Sequence, residues 1–190
     1  MKMMPLLKRW VPVFLVVSVA SVSQARKEPG RAKPGAALVS ISQTLAKMKD
    51  ESAFYAALQA SGWEVLLDGP GSFPYTVFAP TNAAFEKLKS RGYASLVDAA
   101  NKSKLRAVVS FHAVSGRFPM AAFTDGQVLH TSHEMTLAVT RRGGNMWVTG
   151  GTGAPVYVHS TDILCDNGII HVIDEVLLPI APRRVPASQP

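Results

Sequence analysis

The sequence predicts an α+β fold in which helices of the first half pack on antiparallel strands of the second. Between Leu38 and His112 apolar residues recur at helical spacings; from Val114 onward they alternate with polar ones. Two further stretches, Tyr75-Thr76-Val77-Phe78-Ala79 and Gly168-Ile169-Ile170-His171-Val172-Ile173-Asp174-Glu175-Val176-Leu177-Leu178-Pro179, are too continuously apolar for alternation. A strand of that kind presents apolar side chains on both faces, so it belongs in the middle of a core, and the two are expected to be neighbours. Because helices and strands are segregated along the chain, a doubly wound α/β fold is disfavoured.

The first 25 residues stand apart. Lys2, Lys8 and Arg9 flank or precede an apolar run over 11–20, and Ser23-Gln24-Ala25 supplies small residues around a cleavage point, the pattern of a secretory signal peptide. That run is too short to cross a bilayer as a mature helix, so the mature chain is expected to lack a transmembrane segment and to be secreted or periplasmic. Residues 26–37, rich in Arg, Lys, Pro and Gly, are expected to form a disordered basic linker, and 181–190 a flexible tail. One domain remains, over 38–180. Its single cysteine, Cys165, cannot close an internal disulfide, so the exported domain is held by packing.

The net charge of +7 divides into +3 in the signal peptide, +5 in the two tails and −1 over 38–180. A nucleic-acid-binding domain would gather Lys and Arg on its folded surface, so this distribution argues against nucleic acid. The basic ends suit solvated linkers, with contact to anionic headgroups or acidic polysaccharide as the second reading.

Leu38, Ile41, Leu45 and Met48 are spaced for a first amphipathic helix. A second has Ser52 as its cap, Phe54, Ala57, Leu58 and Ser61 on one face, and Gly62 as a left-handed terminator. Trp63 to Leu67 then leads into the turn cluster Asp68-Gly69-Pro70-Gly71. After the first apolar strand, Pro80 stops the ladder, Thr81 or Asn82 caps a helix with Phe85 and Leu88 inward, and Gly92 ends it. Leu96, Val97 and Ala100 suggest a short helical piece. Ser103 is placed to cap the next helix, where Leu105, Val108, Val109 and His112 put the imidazole on the buried stripe.

Met135, Leu137 and Val139 alternate with Thr136, Ala138 and Thr140, and beyond Arg141-Arg142-Gly143-Gly144-Asn145 the chain resumes with Met146 and Val148 against Trp147 and Thr149, a hairpin. Another strand covers 156–159. Gly150-Gly151-Thr152-Gly153 lacks the Lys-Ser/Thr and the following helix of a phosphate cradle, and reads as a loop. Asn167-Gly168 reads as a positive-φ turn before the last strand.

Candidate chemistry is sparse. His112 and His171 read as buried neutral imidazoles. His130 and His133 have His-x-x-His spacing without a third ligand nearby, so no metal site is expected. Cys165 has no adjacent cation to lower its pKa. A Gly-x-Ser-x-Gly elbow, a zincin helix and a poised carboxylate pair are missing from the sequence, so no catalytic residue and no cofactor is expected.

Tyr75-Thr76-Val77-Phe78-Ala79-Pro80-Thr81-Asn82-Ala83-Ala84-Phe85 resembles the first conserved box of the fasciclin domain. Phe111-His112 with Val114 and Gly116 resembles its Tyr-His segment, and 168–179 is similar to its second box, in the family's order and spacing. The resemblance covers about residues 41–179. It implies a fasciclin-like fold, with N-terminal helices packed on a twisted antiparallel β-wedge, in secreted and surface proteins that act in adhesion or matrix contact. It also implies structural roles for Thr76, Phe78, Pro80, Thr81, Asn82, Phe85, Phe111, His112, Asn167, Gly168, His171 and Asp174. Phe111 stands where the family usually has Tyr, which removes a phenolic hydroxyl, so binding roles tied to the Tyr-His pair do not transfer intact. The family's adhesion-linked Asp-Ile pair resembles Asp162-Ile163, the candidate partner-binding residues; the local reading of that pair is Asp closing a turn with Ile packed under it.

The expected function is a non-enzymatic module contacting a protein or polysaccharide of the cell surface, envelope or matrix, with an exposed Ile163 as apolar anchor beside the Asp162 charge. The alternative is a small apolar ligand, or an enzymatic substrate, held in a cleft between helices and sheet.

Overall fold

In the computed structural model, which describes residues 38–69 and 73–179, four helices and seven strands follow one another. The expected signal peptide, basic linker and C-terminal tail lie outside those residues. The helices are α1 (Ile41–Leu45), α2 (Ser52–Ser61), α3 (Asn82–Leu88) and α4 (Lys102–Phe111). The strands are β1 (Tyr75–Pro80), β2 (Ala113–Ser115), β3 (Val128–His130), β4 (Thr136–Arg142), β5 (Asn145–Thr149), β6 (Pro155–Cys165) and β7 (Gly168–Ile173). Among the described residues no helix is long and apolar enough to cross a membrane.

The strands form one sheet in the order β2-β1-β7-β6-β5-β4-β3. The two continuously apolar stretches, β1 and β7, are neighbours, and among the described residues they are the one parallel pair, with Thr76 opposite Ile169 and Phe78 opposite His171. The other pairings are antiparallel. Parallel neighbours need a long crossover, and nearly the whole domain is threaded between these two. Their lost alternation has the predicted cause. Val77 and Ile170 face a core of Ile41, Leu45, Phe54, Leu58, Phe85 and Val108 under the helices. Phe78 and Ile173 face a second core of Phe111, Phe123, Leu137, Met146 and Val148 inside the wedge.

The long strand β6 joins the two halves of the wedge. Its start pairs with β5, Tyr157 opposite Trp147, and its end pairs with β7, Cys165 opposite Gly168. The register shifts twice between Val158 and Ile163. Bulges bend and twist a strand, which lets one strand serve both halves. It also extends well beyond the expected 156–159 and takes in Asp162 and Ile163.

Several local expectations are met and others corrected. Gly62 ends α2 at φ 77, and Gly143 and Gly144, at φ 56 and 83, make the two-residue β4–β5 turn in which both central residues need positive φ. The first helix is shorter than the Leu38-to-Met48 spacing suggests, because Ser40 caps it, its hydroxyl accepting from the Gln43 amide at 3.1 Å. Ser52 does not cap α2 but is its first residue. The cap comes from Asn82, whose Oδ1 accepts from the Ala53 amide at 2.8 Å while its Nδ2 donates to the Lys49 carbonyl at 2.9 Å. Thr81 caps α3, accepting from Ala84 at 3.2 Å. Ser103 lies inside α4, and Asn101 at the cap position makes no side-chain bond.

Candidate interaction surface

The turn between β6 and β7 organises one end of the domain. Asp166 and Asn167 form it without positive φ, contrary to the expected Asn-Gly turn. Asn167 is there for its side chain. Buried, it accepts from the Ile41 amide at 2.8 Å, donates to the Leu67 carbonyl at 2.8 Å, and through its own carbonyl accepts from the Tyr75 amide at 3.1 Å. Three segments distant in sequence are thus tied to one residue, two of them through its side-chain amide, at a site where an unpaired buried polar group would be costly. Gly168 has a steric role, since a Cβ there would overlap the Tyr75 carbonyl oxygen and meet Ile41. The glycine is needed for close approach of β1 to β7.

Asp162 sits in the β6 bulge at φ 61, a left-handed conformation that Asp tolerates better than most residues. Its Oδ1 accepts from the Met120 amide at 2.7 Å, and its own amide donates to His171 Nδ1 at 3.3 Å. His171 therefore carries its proton on Nε2, which donates to the Phe118 carbonyl at 2.9 Å. Its ring packs against Phe78 and Phe123, each at 5.6 Å. His112 has the opposite tautomer: Nδ1–H donates to the Val108 carbonyl at 2.7 Å and Nε2 accepts from the Leu177 amide at 3.0 Å. Burial pushes the His112 pKa down to about 4, against the opposing effect of the Val108 bond, and burial lowers His171 as well. Both act as neutral struts between elements.

The bulge also decides which side chain faces out. Ile163, expected as an exposed anchor, is half-buried and packs against the core under the helices. Leu164, the next residue, is 47% exposed. The segments bonded to the Asp166-Asn167 turn carry other exposed apolar side chains. Leu38 adjoins Val39, whose carbonyl accepts from Asp166; Val65, 77% exposed, and Leu66 lead into Leu67; Phe73, 83% exposed, leads into Tyr75. Val65, Leu66 and Phe73 are functional candidates that the sequence reading missed. A signal was present, because a four-residue 3-10 turn over Glu64–Leu67 can bury only one side of an apolar triplet.

The remaining motif residues have internal roles. The Thr76 hydroxyl donates to the Gly116 carbonyl at 2.8 Å and accepts from the Phe118 amide at 2.9 Å. Pro80 pairs with Ile173 at the end of β1. Phe85 and Phe111 are buried. Asp174 accepts from Lys87 Nζ through its carbonyl at 3.2 Å. The Cys165 thiol is buried 3.3 Å from Thr44 Oγ1, and burial raises its pKa. His130 is exposed, and His133 lies 3.3 Å from Ser110 Oγ. Among the described residues no group of three His, Cys, Asp or Glu side chains is placed to hold a metal ion.

The fasciclin domain model matches residues 49–179. The chain belongs to the fasciclin family. It is 37% identical over 128 residues to Protein sll1483 of Synechocystis, covering 67% of each chain. Against human Stabilin-1 it is 33% identical over 147 residues, 77% of this chain but 6% of that protein. The structure also superposes on a FAS1 domain pair from the insect cell adhesion molecule Fasciclin I with a TM-score of 0.66 at 20% identity, covering 76% of this chain and 52% of that one, a likeness of fold. In this fasciclin domain each box contains an internal strand, β1 or β7, so its motif residues build the scaffold, and outward-facing residues lie elsewhere.

Proposed function

We propose that this fasciclin domain is a non-enzymatic interaction module, secreted or periplasmic, that contacts a protein or polysaccharide of the cell envelope or matrix through the surface around Asp162, Ile163 and Leu164. The observation that carries the reading is the exposure of apolar side chains on the segments tied to the β6–β7 turn, Leu38, Val65, Leu66, Phe73 and Leu164. Exposed apolar side chains with charged neighbours suit a protein contact, and on these segments Asp68 and Asp166 are exposed as well. Family membership supports an adhesion or interaction role in general, and one structural neighbour comes from a protein described as a cell adhesion molecule.

The test is affinity capture from envelope or matrix extract with the mature chain and a Phe73→Ser, Leu164→Ser double variant. The variant should capture at least about tenfold less partner, a loss of about 1.4 kcal/mol, at an unchanged Tm. Asp162→Ala and Ile163→Ala are expected to lower stability as well as capture, because these side chains are tied to Met120 and to the core. Undiminished capture by the double variant would move the contact elsewhere.

A further inference from the structure

Among the described residues two buried side-chain polar atoms have no hydrogen-bond partner, Trp63 Nε1 and Ser132 Oγ. Both belong to residues lining the same cleft, about 420 Å³, between α4 and the turn that joins β3 to β4. Native proteins pair or hydrate nearly all such atoms, so two orphans at one cleft point to a polar occupant. Trp63 is 5% exposed, and an indole N–H can only donate.

The rest of the lining extends this chemistry. Arg106 projects from the exposed side of α4 and makes no ion pair among the described residues. Ser110 Oγ donates to the Ala107 carbonyl at 3.1 Å, so at its 3.3 Å contact with His133 it accepts from Nδ1–H, which leaves His133 Nε2 as an acceptor. Glu134 adds a carboxylate at the rim. Backbone bonds shape the turn over 131–135: the Ser132 amide donates to the Ala113 carbonyl at 2.8 Å and the Glu134 amide to the Thr131 carbonyl at 3.0 Å, while Thr131 Oγ1 donates to the Met135 carbonyl at 2.8 Å.

A guanidinium fork with an indole N–H suits a carboxylate, whereas an imidazole nitrogen and a carboxylate suit hydroxyl donors. A compact molecule bearing both is a sugar acid. We propose that this cleft binds the carboxylated sugar units of an acidic polysaccharide, with Arg106 on the carboxylate, Trp63 and Ser132 donating to ligand oxygens, and His133 and Glu134 accepting from ring hydroxyls. Solvent does not reach the two orphan atoms, so contact with them entails a small displacement of the turn carrying Ser132. The proposal rests on the reading of the chain as an envelope or matrix interaction module, and names one partner class and a second surface for it.

The test is an NMR titration of the mature chain with a trigalacturonate probe, following the indole N–H of Trp63 with that of Trp147 as internal reference. A saturable shift of Trp63 is expected with Trp147 unmoved. Affinity should fall at least tenfold for the methyl-esterified trimer, which keeps the sugar skeleton and removes its charge. Arg106→Ala, on an exposed helix face, should abolish the shift, and Ser132→Ala should weaken binding severalfold. No Trp63 shift up to about 10 mM probe, equal affinity for the methyl ester, or unchanged binding by Arg106→Ala would each overturn the proposal. Acetate binding as tightly as the trimer would overturn its sugar component. Capture through the Leu164 end with a static Trp63 signal would leave the module reading standing and remove this one.

Discussion

Acidification should destabilise this domain through His112. Its folded pKa is about 4, lowered mainly by burial, while an unfolded histidine titrates near 6.5. As pH falls below about 6.5 the unfolded chain takes up a proton that the native state refuses, so stability present at neutral pH is lost progressively until pH reaches about 4. The shift of roughly 2.5 pH units sets a ceiling of about 3.4 kcal/mol, and integrating between about pH 7.5 and about pH 5 gives about 2 kcal/mol. Because His112 has both ring nitrogens bonded inside the core, solvent screening does not reduce this figure. His171 is shifted in the same direction and adds to the loss. Glu51, whose pKa burial raises, works the other way in the acid range. With a urea slope of about 2 kcal/mol per molar for a domain of this size, the unfolding midpoint should fall by about 1 M between the two pH values. His112→Gln should be less stable at neutral pH but lose about 2 kcal/mol less on acidification. The reasoning is refuted if that variant shows the full wild-type loss, or if NMR finds His112 titrating near 6.5 in the native state.

Other expected outcomes follow from single contacts. Asn82→Ala should cost about 1–2 kcal/mol by leaving the Ala53 amide uncapped, whereas Asn82→Asp should recover part of that by restoring an acceptor; equal urea midpoints for all three proteins would deny the cap its role. Gly168→Ala should destabilise by about 3 kcal/mol or more, because its Cβ meets the backbone of β1 and not a movable side chain; a loss under about 1 kcal/mol would show that the strands can part freely. Native Cys165 should react with a thiol reagent only as fast as the domain opens, and Cys165→Ser should stay within about 1.5 kcal/mol of wild type; rapid labelling of folded protein would contradict its burial beside Thr44.

Elements whose pattern depends on near neighbours were legible in the sequence. The stripe of Leu105, Val108, Val109 and His112 placed the imidazole in the core because residues three and four apart share a helix face. The missing alternation in β1 and β7 announced strands covered on both sides, and the order of the two boxes carried the family resemblance. The candidate surface was less legible. Asp162 and Ile163 were singled out, yet Ile163 turns inward and Leu164 outward, because two register shifts in β6 change the facing and a period-2 reading cannot locate a bulge.

The sequence by itself determined the fold class, the division of helices from strands, the burial of His112 and His171 and the glycine that ends α2, since each follows from local spacing or from one residue's allowed backbone angles. Only the tertiary structure decided that Asn82 caps a helix some 30 residues upstream, that Asn167 ties Ile41, Leu67 and Tyr75 together, and that Trp63 and Ser132 line one polar cleft. Those contacts join segments far apart along the chain. Their partners are set by strand register and helix docking, and an amide in the sequence does not specify which distant backbone group it will meet.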